Sequence, residues 1–310
     1  MIRLKPFLTI TKIEKDSVSL GTTGRYRVTI SCAPPSEADV THEWLLSDSK
    51  RLMFLEKLGL ILEEESEWTE YDSRTLSFLS LFSSSPSLHL NCLRSQEIFI
   101  LGCGGLGSRI ALDLSALRPG HIHLIDPDII DISNLSRMFY FTEQDVGRSK
   151  VAATEERIKV ISPETQVSCY ECCLLEWWER HRDELQENSF LFLTADGNDG
   201  AILSDFPSIP SGKNIKIMLG GYWEATAIIG PIFSSSTFQP GLFYKKHSSR
   251  DRFVRDFIPP SIGALNSLIS GIMQIEYLKS YTSFSILESH QLLLNLETMH
   301  LSKVLIKHEI

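Results

Sequence analysis

A glycine-rich turn between an apolar run and a helical segment constrains the fold of this chain more than any other feature. The sequence IFILGCGGLGSRIALDL, at residues 98–114, places Gly102, Gly104 and Gly107 in the spacing Gly-x-Gly-x-x-Gly. The apolar residues before the turn predict a buried strand, and the pattern after it predicts a helix. A strand, a glycine turn and a helix in this order are typical of a sheet that holds a phosphate group at a helix N-terminus.

The rest of the chain from residue 97 alternates apolar runs with helical stretches. The runs predicted as strands are EIFIL, HIHLID, TQVSCYECC, SFLFLTAD and NIKIMLGG. Helices are predicted near 106–117, 147–161, 175–187, 199–206 and 261–281, with further strands after residue 222. This alternation predicts an α/β fold, a Rossmann-like and mostly parallel sheet with helices on both faces.

The first part of the chain has a different pattern. Residues 7–32 alternate apolar and polar side chains around the turn GTTG, which predicts short antiparallel strands, and helical segments follow. We therefore predict a small α+β domain at 1–66, a Ser-rich connector at 67–93 and the larger α/β domain at 94–310.

Composition excludes several classes of protein. The 310 residues are 43% hydrophobic, enough for a substantial core, and the net charge of −9 disfavours nucleic acid as a partner. The N-terminal residues lack the apolar segment of a signal peptide, and glycines and Glu224 interrupt the later apolar runs. We expect a cytoplasmic protein that does not bind or span a membrane.

An acidic residue follows the second predicted strand of the α/β domain. Asp126 lies 24 residues after Gly102, where dinucleotide enzymes carry a carboxylate for a ribose hydroxyl. Taken alone, this favours an NAD-dependent dehydrogenase. Arg137 and Lys150 follow, however, and cations beyond the ribose position suit a triphosphate better than a nicotinamide. Each could instead be an ordinary solvated surface cation.

A second acidic residue follows the fourth predicted strand. Asp196, in FLFLTADGND, is placed at the same edge of the sheet as the glycine turn. A carboxylate there suits Mg²⁺ that bridges phosphate groups. The alternative is that Asp196 caps the helix that follows.

The cysteines argue against a structural zinc site. The chain has six, and CYECC contains the one Cys-x-x-Cys pair, with no cysteine after Cys173. A structural zinc ion needs four ligands. We expect small buried thiols and no zinc.

The segments ILGCGGLGS and LIDPDIIDISNLSRMFYFTEQDVGRSK resemble the ThiF/MoeB/HesA family, adenylate-forming enzymes related to ubiquitin activators. The resemblance implies that ATP and Mg²⁺ activate a carboxylate as an acyl-adenylate. It implies the following roles: ATP is held by Gly102, Gly104, Gly105, Gly107, Asp128 and Asn134, its ribose by Asp126, its phosphates also by Arg137 and Lys150, and magnesium by Asp196.

Within this family, residues 70–281 resemble the MccB/PaaA-type modifiers of ribosomal peptides. The segment YDSRTLSFLSLF matches an arginine segment of these enzymes, which implies that Arg74 reaches the γ-phosphate in a partner subunit of a homodimer. The first 66 residues resemble the PqqD-like domain, a winged-helix-like clamp that binds the leader of a precursor peptide as an added strand.

Two departures from the family pattern bear on function. Met138 follows Arg137 where the family usually has Gln, so one polar contact to the nucleotide is in question. The chain has no cysteine after Cys173, so it has no downstream thiolate for thioester transfer.

The resemblance thus implies an ATP-dependent enzyme of peptide antibiotic biosynthesis. It would adenylate a carboxylate of a ribosomal precursor peptide, and an amide of the same peptide would attack, giving dehydration and cyclisation as in pantocin-type, PaaA-like enzymes. The alternatives are MccB-like nucleotidylation of a peptide C-terminus, adenylation of a sulfur-carrier protein, and a non-catalytic protein that binds leaders.

Overall fold

The computed structural model describes residues 2–23, 26–34, 36–64, 67–195, 210, 212–234, 261–282, 284–285, 287–288 and 290–305. The chain divides into two compact units. Unit 1 comprises Met1–Cys92 with Tyr281–Phe284, and unit 2 comprises Leu93–Ser280 with Ser285–Ile310.

Unit 1 contains two small antiparallel sheets. Its strands are β1 (Arg3–Leu4), β2 (Ile10–Glu14), β3 (Ser17–Leu20), β4 (Val28–Ser31) and β5 (Ile61–Leu62). Strands β2, β3 and β4 form a three-stranded meander, as the alternating pattern predicts, and β1 pairs with β5. Val18, Leu20 and Ile30 of the meander are buried in the core of the unit.

Four helices begin in the first 92 residues. They are α1 (His42–Leu46), α2 (Ser49–Lys57), α3 (Ser73–Leu79) and α4 (Pro86–Arg94). Asp48 caps α2, since its carboxylate accepts the backbone N–H groups of Lys50 and Arg51. Helices α3 and α4 lie in the Ser-rich stretch predicted as a connector. They form because leucines recur at helical spacing between the serines and are buried, for example Leu76 and Leu79.

Unit 2 is built on one eight-stranded sheet. Its strands are β6 (Glu97–Leu101), β7 (His121–Ile125), β8 (Gln166–Tyr170), β9 (Phe190–Leu193), β10 (Lys216–Trp223), β11 (Thr226–Ser234), β12 (His290–Asn295) and β13 (His300–Leu305). The order is β13-β12-β11-β10-β9-β6-β7-β8. The adjacent strands β10, β9, β6, β7 and β8 run parallel to one another. Strands β11, β12 and β13 extend the sheet with antiparallel pairing.

Helices cover both faces of this sheet, which confirms the predicted fold class. They are α5 (Gly107–Ser115), α6 (Lys150–Ile161), α7 (Leu174–His181) and α8 (Gly263–Lys279). Trp177 of α7 packs in one cluster with Leu191 of β9. Tyr277 of α8 contacts the opposite face, with its ring centroid 4.7 Å from that of Phe190. Strand β9 is buried on both sides, as expected for a central parallel strand.

The helix predicted at 199–206 lies outside the described residues. Among the helices that the structure describes, none combines the length and the hydropathy needed to cross a membrane.

Candidate nucleotide-binding site

The glycine loop lies between β6 and α5, at the carboxyl edge of the parallel strands. Gly102 has φ of +101°, and a Cβ atom on it would lie 2.7 Å from the Cα of Ala195. A Cβ on Gly107 would overlap the carbonyl oxygen of Gly102, so these two glycines are required by the turn itself. Gly104 differs, because no atom lies within 4 Å of the position its Cβ would take.

Asp126 directly follows β7 and fixes the loop from the side. One carboxylate oxygen accepts the N–H of Cys103 at 2.7 Å, and the other accepts the N–H of Asp128 at 2.9 Å. Burial raises the pKa of Asp126, and Lys150 and the two N–H groups offset part of that rise. Each carboxylate oxygen can accept a further hydrogen bond, so Asp126 keeps capacity for a ribose hydroxyl.

Lys150 is the first residue of α6 and is only 8% exposed, so it is not a solvated surface cation. Its Nζ lies 2.7 Å from Oδ2 of Asp128 and 3.9 Å from Oδ1 of Asp126. The Lys150 N–H also donates to the carbonyl of Asp128 at 3.1 Å. The structure therefore brings three of the predicted residues together as one charged cluster beside the glycine loop.

Asn134 and Arg137 lie in the segment between β7 and α6. Asn134 is buried and ends a 3₁₀ turn, Ile132–Asn134, where its Oδ1 accepts the N–H of Asp131 at 3.3 Å. Nη1 of Arg137 donates to the carbonyl of Ser133 at 2.9 Å. These hydrogen bonds stabilise the turn. Arg137 is half-buried, and its guanidinium group has further N–H donors that could bind an anion.

Met138 has a packing role. It is 1% exposed and lies in a cluster with Ile130, Phe141 and Ala153. An apolar side chain suits this position, so the departure from the usual Gln is compensated locally by burial.

Sequence reasoning missed two polar residues that hold the loop. Thr194, after β9, donates its hydroxyl to the carbonyl of Gly102 at 2.8 Å. Asn266 of α8 is 2% exposed; its Nδ2 donates to the carbonyl of Arg137 at 3.5 Å and occupies the space where a Cβ on Gly105 would be. A buried Asn within the apolar helix segment GALNSLIS was the signal that could have revealed the second.

Two predicted site residues are not placed beside the loop by these observations. Arg74 is exposed on α3 of unit 1. Asp196 lies outside the described residues. Their roles therefore stay predictions.

The glycine loop has the features of a phosphate-binding turn. The N-terminal N–H groups of α5 and its helix dipole favour negative charge, and the open space over Gly104 permits close approach of a phosphate. Lys150 and Arg137 add positive charge. Fold and site together define a Rossmann-like nucleotide-binding domain.

Comparison with protein families identifies one family over most of the chain. The model of the ThiF family matches residues 79–309, so the chain belongs to the ThiF family. It is thus a member of a family of ATP-dependent adenylate-forming enzymes.

Solved structures agree on the fold over nearly the whole chain. E. coli MccB, solved with ATP, has a TM-score of 0.74 at 18% identity and is matched over 99% of this chain and 97% of its own. PaaA has a TM-score of 0.71 at 20% identity, over 97% of this chain and 99% of its own.

Curated relatives match over a shorter region. A probable molybdopterin-synthase adenylyltransferase of Porphyra purpurea is 40% identical over 78 residues, which are 25% of this chain and 20% of that protein. The chain thus spans about a fifth of the length of the first curated relatives it matches.

Proposed function

We propose that this chain is an ATP-dependent enzyme that adenylates a carboxylate of a ribosomally made precursor peptide, in the biosynthesis of a peptide antibiotic. The observation that carries the nucleotide part is the cluster of Asp126, Asp128 and Lys150 beside the open side of the glycine loop. The likeness to MccB supports the peptide part, because it extends over unit 1 as well as unit 2. MccB is a microcin C7 biosynthetic enzyme and was solved in complex with N-formylated MccA.

In the proposed first step, an oxygen of the peptide carboxylate attacks the α-phosphorus of ATP. The α–β anhydride bond breaks, and pyrophosphate leaves with the electron pair. Lys150 and Arg137 stabilise the charge that develops on the phosphates, and the glycine loop holds the α-phosphate in line with the carboxylate. Mg²⁺ would neutralise phosphate charge; its proposed ligand is Asp196, outside the described residues.

In the second step, an amide nitrogen of the same peptide attacks the acyl carbon. The bond from this carbon to the AMP oxygen breaks, AMP leaves, and the nitrogen loses its proton. The peptide has then lost the elements of one water molecule, and no side-chain nucleophile of the enzyme is needed. This outcome is the PaaA-type dehydration and cyclisation.

Unit 1 is the proposed binding site for the leader of the peptide. Its meander has two outer strands, β2 and β4, and each pairs with β3 on one side. A leader in extended conformation can add to an outer strand through main-chain hydrogen bonds, with side-chain pockets for specificity.

Arg137→Ala tests the nucleotide part. We expect it to abolish ATP–pyrophosphate exchange measured with precursor peptide, because it removes a cation from the phosphates, while fluorescence anisotropy still detects leader binding. Arg180→Ala is the control, since Arg180 is an exposed arginine of α7 paired with Glu176. Exchange at the normal rate in Arg137→Ala would overturn the assignment.

Mass spectrometry of the peptide product separates the alternatives. Loss of water indicates cyclisation, whereas a retained AMP moiety indicates MccB-like nucleotidylation. Adenylation of a carrier protein that ends in Gly-Gly, with no reaction of a leader peptide, would indicate a sulfur-carrier adenylyltransferase. Leader binding without ATP turnover would indicate a non-catalytic binding protein.

A further inference from the structure

Two histidines and a glutamate meet at the amino-terminal ends of β6 and β7, away from the glycine loop. Glu97 pairs with His121 in the parallel register of the two strands. His123 follows two residues later on β7, so all three side chains lie on the same face of the sheet. Four residue steps separate Glu97 from Leu101, where the glycine loop begins; this is about 13 Å of strand.

The polar atoms of this cluster are close together. Nδ1 of His121 lies 3.9 Å from one carboxylate oxygen of Glu97, and Nε2 of His123 lies 4.0 Å from the other. One ligand atom from each of the three residues lies within 4.8 Å of the other two. Glu97 thus faces both imidazoles without a direct hydrogen bond to either.

The outer nitrogen of each ring contacts a hydroxyl group on β8. Nε2 of His121 lies 2.9 Å from Oγ of Ser168, and Nδ1 of His123 lies 3.4 Å from the hydroxyl of Tyr170. Partners on the far nitrogen are what orients a metal-ligating histidine, because they fix the tautomer that leaves the near nitrogen bare.

His123 provides the strongest evidence that this cluster binds an ion. The residue is 7% exposed, and its Nε2 is buried without a hydrogen-bond partner among the described residues. A buried polar atom of this kind costs free energy unless something satisfies it. The atom points toward the carboxylate of Glu97, at a distance that leaves room for an ion between them.

The charge state also suits a cation. Burial, with smaller effects from His121 and His181, lowers the pKa of His123 to about 3. Burial and Lys159 lower the pKa of His121 as well, while burial raises the pKa of Glu97. A cation beside Glu97 would offset the cost of burying its charge.

We propose that Glu97, His121 and His123 form a binding site for one divalent transition-metal cation, with Zn²⁺ as the natural ion. Two His and one Glu are a known ligand set for zinc that leaves a coordination position open. Glu97 and His123 line a cleft of about 210 Å³ together with Tyr170 and Trp177, so a ligand could reach an ion bound there. This proposal departs from the expectation of no zinc, which rested on the cysteine pattern; that pattern argues against a site made of four cysteines and has no bearing on this one.

Binding requires the three side chains to move closer together. Atoms that bind one zinc ion at about 2.1 Å lie about 3.4 Å apart in tetrahedral geometry, roughly 0.5 Å closer than the two nitrogen–oxygen distances to Glu97 and up to about 1.4 Å closer than the 4.8 Å within which the three ligand atoms lie. The rings of His121 and His123 stack with centroids 3.9 Å apart and an angle of 29° between them. They must turn so that both lone pairs converge on the ion. If they do not, the cluster is only aromatic packing between Phe99 and Tyr170.

The test uses the full chain, freed of metal with a chelator and studied without ATP or peptide. We expect titration with Co²⁺ to give the visible absorption of a tetrahedral N/O site, saturating at one ion per chain, and Zn²⁺ to displace it. Glu97→Gln and His121→Gln should each weaken binding at least tenfold. His300→Gln, which alters an exposed histidine of β13, should not. Cys172→Ser with Cys173→Ser should also leave binding unchanged and so exclude the nearby thiols.

Circular dichroism shows whether each variant folds, and melting temperature provides a second measurement. Zn²⁺ should raise the melting temperature of the natural chain and should leave that of Glu97→Gln unchanged. Failure of the natural chain to bind Co²⁺ saturably, or normal binding by folded Glu97→Gln and His121→Gln, would overturn the proposal.

Discussion

The glycines of the phosphate loop have different physical roles although they share one motif. Gly107 is needed because its Cβ would overlap the main chain, and Gly102 because of its positive φ and its contact with Ala195. Gly104 has no such neighbour. No neighbouring protein atom therefore requires a glycine at this position. In the proposed function, the missing side chain leaves space for a phosphate group of ATP.

Gly104→Ala separates these roles. The added methyl group meets no protein atom, so we expect the melting temperature to stay close to that of the natural chain. The methyl group does narrow the approach to the loop, so ATP affinity should fall about tenfold or more, which is about 1.4 kcal/mol. Isothermal titration with a non-hydrolysable ATP analogue measures this.

Two further glycine variants are the controls. Gly271→Ala on α8 also meets no atom within 4 Å; because Ala favours a helix over Gly, it should raise stability by about 0.5–1 kcal/mol and leave ATP affinity unchanged. Gly107→Ala should destabilise the fold by about 1–3 kcal/mol because of overpacking. Unchanged ATP affinity in a folded Gly104→Ala variant would contradict the proposed path of the phosphate.

At the scale of elements, α8 links two parts of the site that are far apart in sequence. Asn266 extends from this helix to the carbonyl of Arg137 and lies over Gly105. The helix therefore fixes the arginine turn relative to the glycine loop, without any side chain of its own among the residues proposed to contact phosphate.

Asn266→Ala should loosen this link. We expect a loss of about 1 kcal/mol of stability, from one buried hydrogen bond, and a several-fold rise in the KM for ATP with a smaller change in kcat. Steady-state pyrophosphate release measures both constants. Ser267→Ala, at the next position of the same helix, is the control. Equal effects of both variants on KM would mean that α8 acts only through general stability.

The sequence predicts the strands and helices of unit 2 well where the spacing of apolar residues matches the side chains that are buried in the structure. Strand β9 and residues 98–101 of β6 are apolar because both of their faces are covered, and the glycine spacing itself identifies the turn that follows β6. The Ser-rich stretch was misleading, since its serines resemble a linker in the sequence, whereas in the structure they are partly or fully buried beside the leucines of α3. The sequence marks Asn266 as a polar residue in an apolar helix, but its contacts could not be assigned because its partners lie 129 and 161 residues away along the chain.

At the scale of the whole molecule, the family resemblance implies a homodimer whose active sites each use residues from two chains. Arg74 lies on α3 in unit 1, whereas Arg137 lies in unit 2. In the proposed homodimer, each active site combines Arg137 of one protomer with Arg74 of the other. A symmetric dimer would then contain two equivalent composite sites.

Co-expression of Arg74→Ala and Arg137→Ala chains with different tags tests this arrangement. A mixed dimer has one site that lacks both arginines and one that lacks neither. Each variant alone should be inactive in pyrophosphate exchange, and random pairing should restore about a quarter of natural activity. Purified mixed dimers should reach about half. Mixed dimers without activity would show that Arg74 does not act across subunits.

Strands β6 and β7 run in register from the Glu97–His121 pair at one end to the Leu101–Ile125 pair at the other. Each strand thus carries different chemistry at its two ends, with a rigid buried segment between them. We infer that the two ends can change separately in evolution, because the histidines lie at the end of the strands opposite the loop that follows Leu101. We therefore expect Glu97, His121 and His123 to be present in only some relatives of the ThiF family, whereas the glycine loop at 102–107 should be present in all of them.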